Sequence, residues 1–249
     1  MAEELKTFDG GTPGNNVAAG FNDIDAITGV PVYIAGLHGT TAVRTGGAAN
    51  TTDTSVRVVF GGGISGNHAG SVYVKYNTDH GSGSASANFL VIVASGNAFI
   101  AEFRCGAGNE FGIRITSTNL YTGPANSVPL NAWFRIDWIL TGTSLQVRLY
   151  EDPDADAADT PDISTTVTVG SSTSAAVFLK ATSSSAIIKD FSFDTFRVKD
   201  SLTWWDHYDP TPPGGDSGVT VWNGTAEVEA TVTVWNGTSE VAATAEYTS

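Results

Sequence analysis

The sequence predicts an all-β chain folded as a jelly-roll β-sandwich, and three observations carry that expectation. Short apolar runs recur along the chain with Gly-, Ser- and Asn-rich breaks between them, the mark of many short strands joined by turns. No stretch keeps helical periodicity over three turns, and Gly, Ser, Thr, Val and Ala dominate, so helix should be scarce. The third observation is residues 131–150, NAWFRIDWILTGTSLQVRLY. Phe134, Ile136, Trp138 and Leu140 alternate with Arg135 and Asp137; beyond a polar turn at 141–144, Leu145, Val147 and Leu149 alternate with Gln146 and Arg148. This period of two describes a hairpin with one dry face. A lone hairpin is marginal in water, so the dry face needs a second sheet against it.

The remaining strands follow in order. Residues 5–16 mix Phe8 with Asp9-Gly10-Gly11 and Pro13-Gly14, a short strand and a turn. Strand-like runs lie at 30–34, 56–60, 72–76, 89–93, 98–105 and 111–116 before the central hairpin, and at 163–169, 175–180 and 187–198 after it. In the last run Phe191 and Phe193 share one face, whereas strict alternation would put Phe196 and Val198 on the other. A bulge near Asp194-Thr195 would bring all four toward the core.

Length and charge bound the functions. A chain of 249 residues can bury a full sandwich core and carry a small appendage. The formal net charge of −14 would repel a nucleic-acid backbone, so no nucleic-acid partner is expected; the plain role of this charge is solubility. The single cysteine, Cys105, excludes an internal disulfide and reads as a small buried hydrophobe. No run is apolar enough to span a bilayer, and the first residues, MAEELKTFDGGTPG, lack a basic and apolar leader. The expectation is synthesis in the cytoplasm without a signal peptide and no membrane insertion.

The composition changes at Asp200. The sandwich is assigned to residues 1–200 and an aromatic, then Pro/Gly-rich linker, SLTWWDHYDPTPPGGDSG, to 201–218. Residues 219–249 hold the one internal repeat, VTVWNGTAEVEAT followed by VTVWNGTSEVAAT. Asn223-Gly224 and Asn236-Gly237 are signals for two-residue type I′ turns. If both form, Trp222 pairs with Thr225, Trp235 pairs with Thr238, and the segment becomes a three-stranded β-meander. Val219, Val221, Val228, Val232, Val234 and Val241 then share a face with several alanines, and that face needs a companion. The expectation is an attachment or assembly element, against the alternative that the face folds back on its own sandwich.

Candidate chemistry is sparse. Glycan hydrolysis needs two carboxylates about 5 to 10 Å apart, and no strand alternates Glu, Asp and Glu; Glu102 and Glu110 stand isolated. A non-enzymatic protein is expected. His38, His68, His80 and His207 lack metal-ligand spacing and read as solvated loop residues. The run EDPDADAADTPD at 151–162 offers hard oxygen ligands for Ca²⁺ but lacks the EF-hand glycine and closing glutamate; a hydrated hairpin loop with no cofactor is the preferred reading. Trp204, Trp205 and Tyr208, with His207, could stack against a sugar ring or could plug the end of the sandwich and anchor the linker; the plug is preferred. The Asn-Gly-Thr sequons read as turns.

Several stretches together resemble a known group: FDGG, GSVYVKY, GIRITSTN, NAWFRIDWILTGTSLQVRLYEDPD, and FSFDTFRVKD followed by the tryptophan cluster. They are similar to the concanavalin A-like, laminin-G-like sandwiches of bacteriophage virion proteins, notably of phages of actinobacteria. The similarity spans residues 1–208. The VTVWNGT repeats resemble the carboxy-terminal repeats of phage tail or accessory head proteins. The resemblance implies a minor tail or capsid decoration protein on the virion surface, partnered by other virion proteins in a homo-oligomer, with a cell-surface glycan as ligand. A carbohydrate-binding module dedicated to host recognition is the alternative. No catalytic residue carries over.

Overall fold

In a computed structural model of the chain, residues 3–8, 11–18, 24–37, 40–46, 54–60, 66–79, 86–94, 97–170, 174–181, 183–184, 187–208, 219–222 and 227–230 are described. Their regular structure is almost wholly β. The strands are β1 (Glu3–Lys6), β2 (Ile24–Thr28), β3 (Val32–Ala35), β4 (Thr41–Thr45), β5 (Thr54–Val59) and β6 (His68–Asp79). Next come β7 (Ala87–Val93), β8 (Phe99–Cys105), β9 (Phe111–Ile115), β10 (Thr118–Thr122), β11 (Trp133–Thr141) and β12 (Ser144–Tyr150). The chain continues through β13 (Ile163–Thr168), β14 (Ala176–Ala181), β15 (Ser183–Ser184), β16 (Ile187–Lys199), β17 (Val219–Trp222) and β18 (Glu227–Ala230). It divides into two compact units, Met1–Tyr208 and Asp209–Ser249.

The first unit is a sandwich of two antiparallel sheets. One runs β13-β12-β11-β6-β16-β4-β3, with β1 and β15 also paired to β16; the other runs β10-β9-β8-β7-β14-β5-β2. The expected β-sandwich is therefore present. The sequence reading omitted β2, β4, β10 and the two-residue β15: IDAIT, TAVRT and TNLYT are short runs interrupted by polar residues, and neighbouring strands, not intrinsic propensity, hold them extended. No helix among the described residues is long and apolar enough to cross a membrane.

The expected central hairpin forms, and its register sets Trp138 opposite Val147 and Thr141 opposite Ser144. That leaves a two-residue turn whose first residue, Gly142, has φ +56°, as a type II′ turn requires. Phe134, Ile136, Trp138, Leu140, Leu145, Val147 and Leu149 all enter one core with residues of the second sheet. Gly70 lies opposite Trp138, and a Cβ there would sit 2.1 Å from the indole Cζ2, so only glycine lets the ring lie across β6. The expected bulge also forms. Asp194 pairs with Tyr73 and Arg197 with Ser71, one residue too many on β16, and Thr195 takes φ 42°. Phe191, Phe193, Phe196 and Val198 all reach the core.

Two expectations about burial need correction. The second face of the central hairpin is not open to water: Arg135 and Asp137 are both fully buried, with Nε and Oδ1 3.2 Å apart. His68 is not a solvated loop residue but a buried one. Its Nε2 accepts from Trp138 Nε1 at 3.0 Å; since an indole can only donate, Nδ1 carries the ring proton and donates to Gly66 O at 2.9 Å. Burial holds the imidazole below its ordinary pKa. His38 and His80 lie outside the described residues.

In the second unit β17 and β18 form an antiparallel hairpin, with Val221 opposite Val228 and Trp222 opposite Glu227. The expected partner of Trp222 was Thr225, so the connection holds four residues, not two. The rest of the expected meander, with Val232, Val234 and Val241, lies outside the described residues.

Candidate functional site

The two outer faces of the sandwich differ, and the difference locates the candidate site. The face on the β6-β11-β16 side is covered. Segment 201–208 and loop 151–162 lie over it, fastened by Arg135, whose Nη1 donates to Ala155 O, and by Arg197, whose Nη2 donates to Asp206 O at 2.8 Å. The Tyr208 amide donates to Tyr73 Oη at 2.5 Å. Trp205 is 5% exposed, its ring flanked by the Arg197 guanidinium at 4.7 Å and Lys199 Nζ at 4.0 Å. Trp204 is half-buried and carries Arg148 over its ring at 4.2 Å. Of the aromatic residues singled out as a stacking platform, Trp205 is thus closed to a ligand, and Trp204 and Tyr208 are half-buried against the same lid.

Loop 151–162 turns its carboxylates on its own backbone. Asp162 Oδ2 accepts from Glu151 N at 2.7 Å, Asp159 Oδ2 from Asp156 N at 2.7 Å, and Asp152 Oδ1 from Asp154 N at 3.0 Å. His207 Nδ1 lies 2.8 Å from Asp156 Oδ1, and this bond holds the Asp156 carboxyl below its ordinary range. Among the described residues no three His, Cys, Asp or Glu side chains gather as a metal set.

The other outer face, on β5-β14-β7-β8-β9-β10, carries a different arrangement. Directly opposed residues on antiparallel strands point to the same side, and here the register links six strands in one transverse row. Arg57 pairs with Phe178, Phe178 with Val91, Val91 with Glu102, Glu102 with Arg114, and Arg114 with Asn119. Five strand spacings make the row about 24 Å long. A neighbouring row holds Asn88 opposite Arg104 and Arg104 opposite Gly112. On the opposite side of the first row Ala176 pairs with Val93 and Val93 with Phe99, whose ring is 47% exposed.

The face thus has an apolar half and a polar half. Val91, Val93 and Ala176 form a small buried cluster with Phe178 packed on it, separate from the main core. Beside them Glu102, 3% exposed, anchors the polar groups: Oε1 accepts from Asn88 Nδ2 at 2.7 Å and Oε2 from Arg114 Nε at 2.7 Å. Arg104 Nη1 donates to Asn119 Oδ1 at 2.9 Å. To reach it the Arg104 stem crosses β9 above Gly112, where a Cβ would stand 2.8 Å from Arg104 Cγ. Burial and the neighbouring Arg114 charge lower the pKa of Arg104, against the opposing pull of Glu110 and Glu102.

Sequence reasoning missed this site. Glu102 and Arg104 alternate in FIAEFRC, as do Gly112 and Arg114 in FGIRI and Phe178 and Lys180 in AVFLKA, so each strand advertised a polar outer face. Which strands adjoin was not legible.

No protein-family model matches the chain, and no curated protein matches it in sequence. Solved structures do match in fold. A lectin, UEA-II, complexed with galactose aligns with TM-score 0.50 at 8% identity, covering 80% of this chain and 98% of the lectin. The CBM2 module of the evolved Dit of Lactobacillus casei BL23 phage J-1 aligns with TM-score 0.50 at 15% identity, covering 83% and 96%. Alginate lyase AlgAT5 of polysaccharide lyase family 7 aligns with TM-score 0.49 at 14% identity, covering 68% and 82%. The fold is the concanavalin A-like jelly roll.

Proposed function

We propose that this chain is a non-enzymatic phage virion protein, a minor tail or capsid decoration component displayed on the particle, that binds host-surface glycan on the outer face of its β5-β14-β7-β8-β9-β10 sheet. One observation carries the glycan reading. An exposed ring, Phe99, and a half-buried one, Phe178, share a single sheet face with Asn88, Arg104, Arg114 and Asn119. Sugar recognition asks for this combination, an apolar surface for the ring and fixed donors and acceptors for the hydroxyls. Fold likeness to a galactose-complexed lectin and to a phage Dit module is in keeping with it. The non-catalytic reading rests on Glu102: both oxygens are occupied, by Asn88 and Arg114, which suits a structural anchor better than a proton donor.

The opposite face contributes a lid rather than a platform, so Trp204, Trp205 and Tyr208 hold the sandwich closed. The valine face of residues 219–249 is assigned to attachment, joining copies of the chain or neighbouring virion proteins. The experiment is a glycan array probed with the full chain and with Phe178→Ala and Phe99→Ala variants, alongside composition analysis of purified particles. Binding that both substitutions weaken, from a protein present in stoichiometric amount in particles, is the expected result. Binding that instead follows Trp204→Ala would move the site to the lid, and polysaccharide turnover would overturn the non-catalytic reading.

A further inference from the structure

The charge on this face runs against the charge of the molecule. The chain holds 12 Lys and Arg against 26 Asp and Glu, yet the outer-face positions of β5, β14, β8 and β9 present Arg57, Lys180, Arg104 and Arg114. Glu102 lies among them, and Glu110 stands at the β8–β9 turn, where its Oε2 accepts from Gly108 N at 3.1 Å.

The two arginines of β8 and β9 are the informative pair. Arg114 is opposite Glu102, and Arg104 is two residues beyond Glu102, so the guanidiniums are diagonal neighbours rooted about 7 to 8 Å apart. Each is held at one point only. Arg114 gives its Nε to Glu102 and Arg104 gives one terminal nitrogen to Asn119. Among the described residues no other side-chain hydrogen bond is recorded for either, and none of their nitrogens is both buried and without a partner. A guanidinium held this way presents a planar pair of donors to solvent with its rotamer already fixed, the geometry that takes a carboxylate bidentately.

We propose that Arg104 and Arg114 bind the carboxylates of an acidic polysaccharide whose sugar rings lie along the row toward Phe178. This inference rests on the glycan-binding reading and specifies the ligand class of the same face. Phe178 and Arg114 are three strands apart, about 14 Å, so rings and charges are met by successive units of one chain rather than by a single sugar. The net charge of −14 opposes a polyanion elsewhere on the surface, which confines the ligand to this face.

The test uses the full chain in biolayer interferometry against immobilised polygalacturonate, hyaluronate and alginate, each beside its carboxyl-reduced, neutral counterpart. The expected result is binding to at least one acidic polymer, weakened tenfold or more by carboxyl reduction and by Arg104→Gln with Arg114→Gln. Arg104→Gln alone, which leaves the Glu102 anchor intact, is expected to weaken binding severalfold without changing the melting temperature, so misfolding cannot imitate the effect. Equal binding to acidic and reduced polymers, unaffected by the arginine variants, would overturn this inference and leave the glycan reading standing. No binding to any acidic polymer would overturn it as well, and the glycan array then decides separately whether the face binds sugar. Equal, arginine-dependent capture of a single-stranded oligonucleotide would also overturn it, as a general polyanion effect.

Discussion

Asp194 gives the sharpest physical test of the fold. It sits at the β16 bulge and is fully buried, with Oδ2 accepting from Thr40 Oγ1 at 2.6 Å and Leu37 N at 2.7 Å, and Oδ1 from Thr195 Oγ1 at 3.1 Å. These bonds favour the carboxylate, but loss of solvent outweighs them and raises its pKa from 3.8 to about 6. Between those values the folded protein holds a proton that the unfolded chain has released. Acidification therefore stabilises the fold through this group: the contribution is full below the unfolded value and is lost as pH rises through about 6. At neutral pH the ionised group costs about 3 kcal/mol relative to an unshifted one. Asp194→Asn removes the titration while its amide oxygen still accepts from Leu37 and Thr40. Urea unfolding followed by tryptophan fluorescence should find the variant more stable than the parent by about 1 to 3 kcal/mol at pH 7.5, with the gap closing toward pH 4. Other titrating groups cancel in the difference. A gap that stays constant across this range would refute the assignment of the charge cost to burial.

Four further outcomes follow from the packing of the sandwich. Gly70→Ala, which places a methyl group against the Trp138 indole, should destabilise by about 1 to 3 kcal/mol and perturb tryptophan fluorescence. Asp137→Ala leaves the Arg135 charge buried without its carboxylate and should cost about 3 to 5 kcal/mol in denaturant unfolding, whereas replacing both with Met and Leu should cost less than the two single changes summed. His68 opposes Asp194: its folded pKa is depressed, so stability is lost as pH falls below the unfolded value, and His68→Gln should remove part of that acid sensitivity in the same titration. Gly112→Ala should displace the Arg104 stem and weaken binding to acidic polysaccharide severalfold in biolayer interferometry, with the melting temperature little changed.

Local pattern was enough for much of the fold. Alternation in the central hairpin predicts its core face, since side-chain direction in a strand has a period of two whatever lies around it. The β16 bulge was readable because four apolar residues, Phe191, Phe193, Phe196 and Val198, could share a core only with one extra residue between them. Local pattern failed where a polar residue has two fates. Arg135, Asp137 and His68 look like solvent-facing groups in the sequence, yet each is buried: loop 151–162 and segment 201–208 supply acceptors to Arg135, Arg135 in turn pairs with Asp137, and the indole of Trp138 reaches His68 from far along the chain. The turn between β17 and β18 was misjudged by two residues for a related reason, since an Asn-Gly pair permits a tight turn without compelling one.

The amino-acid sequence by itself determined that this protein is a β-sandwich, which strands carry apolar faces, and that the molecule is strongly acidic. Only the tertiary structure decided that one outer face is sealed under an aromatic lid while the other gathers Arg57, Lys180, Arg104 and Arg114 into neighbouring rows. The reason is the reach of each kind of information. Alternation is set by bonds between adjacent residues, whereas strand neighbours are set by closure of the whole jelly roll, so β14 comes to lie between β5 and β7 with no mark in its own sequence.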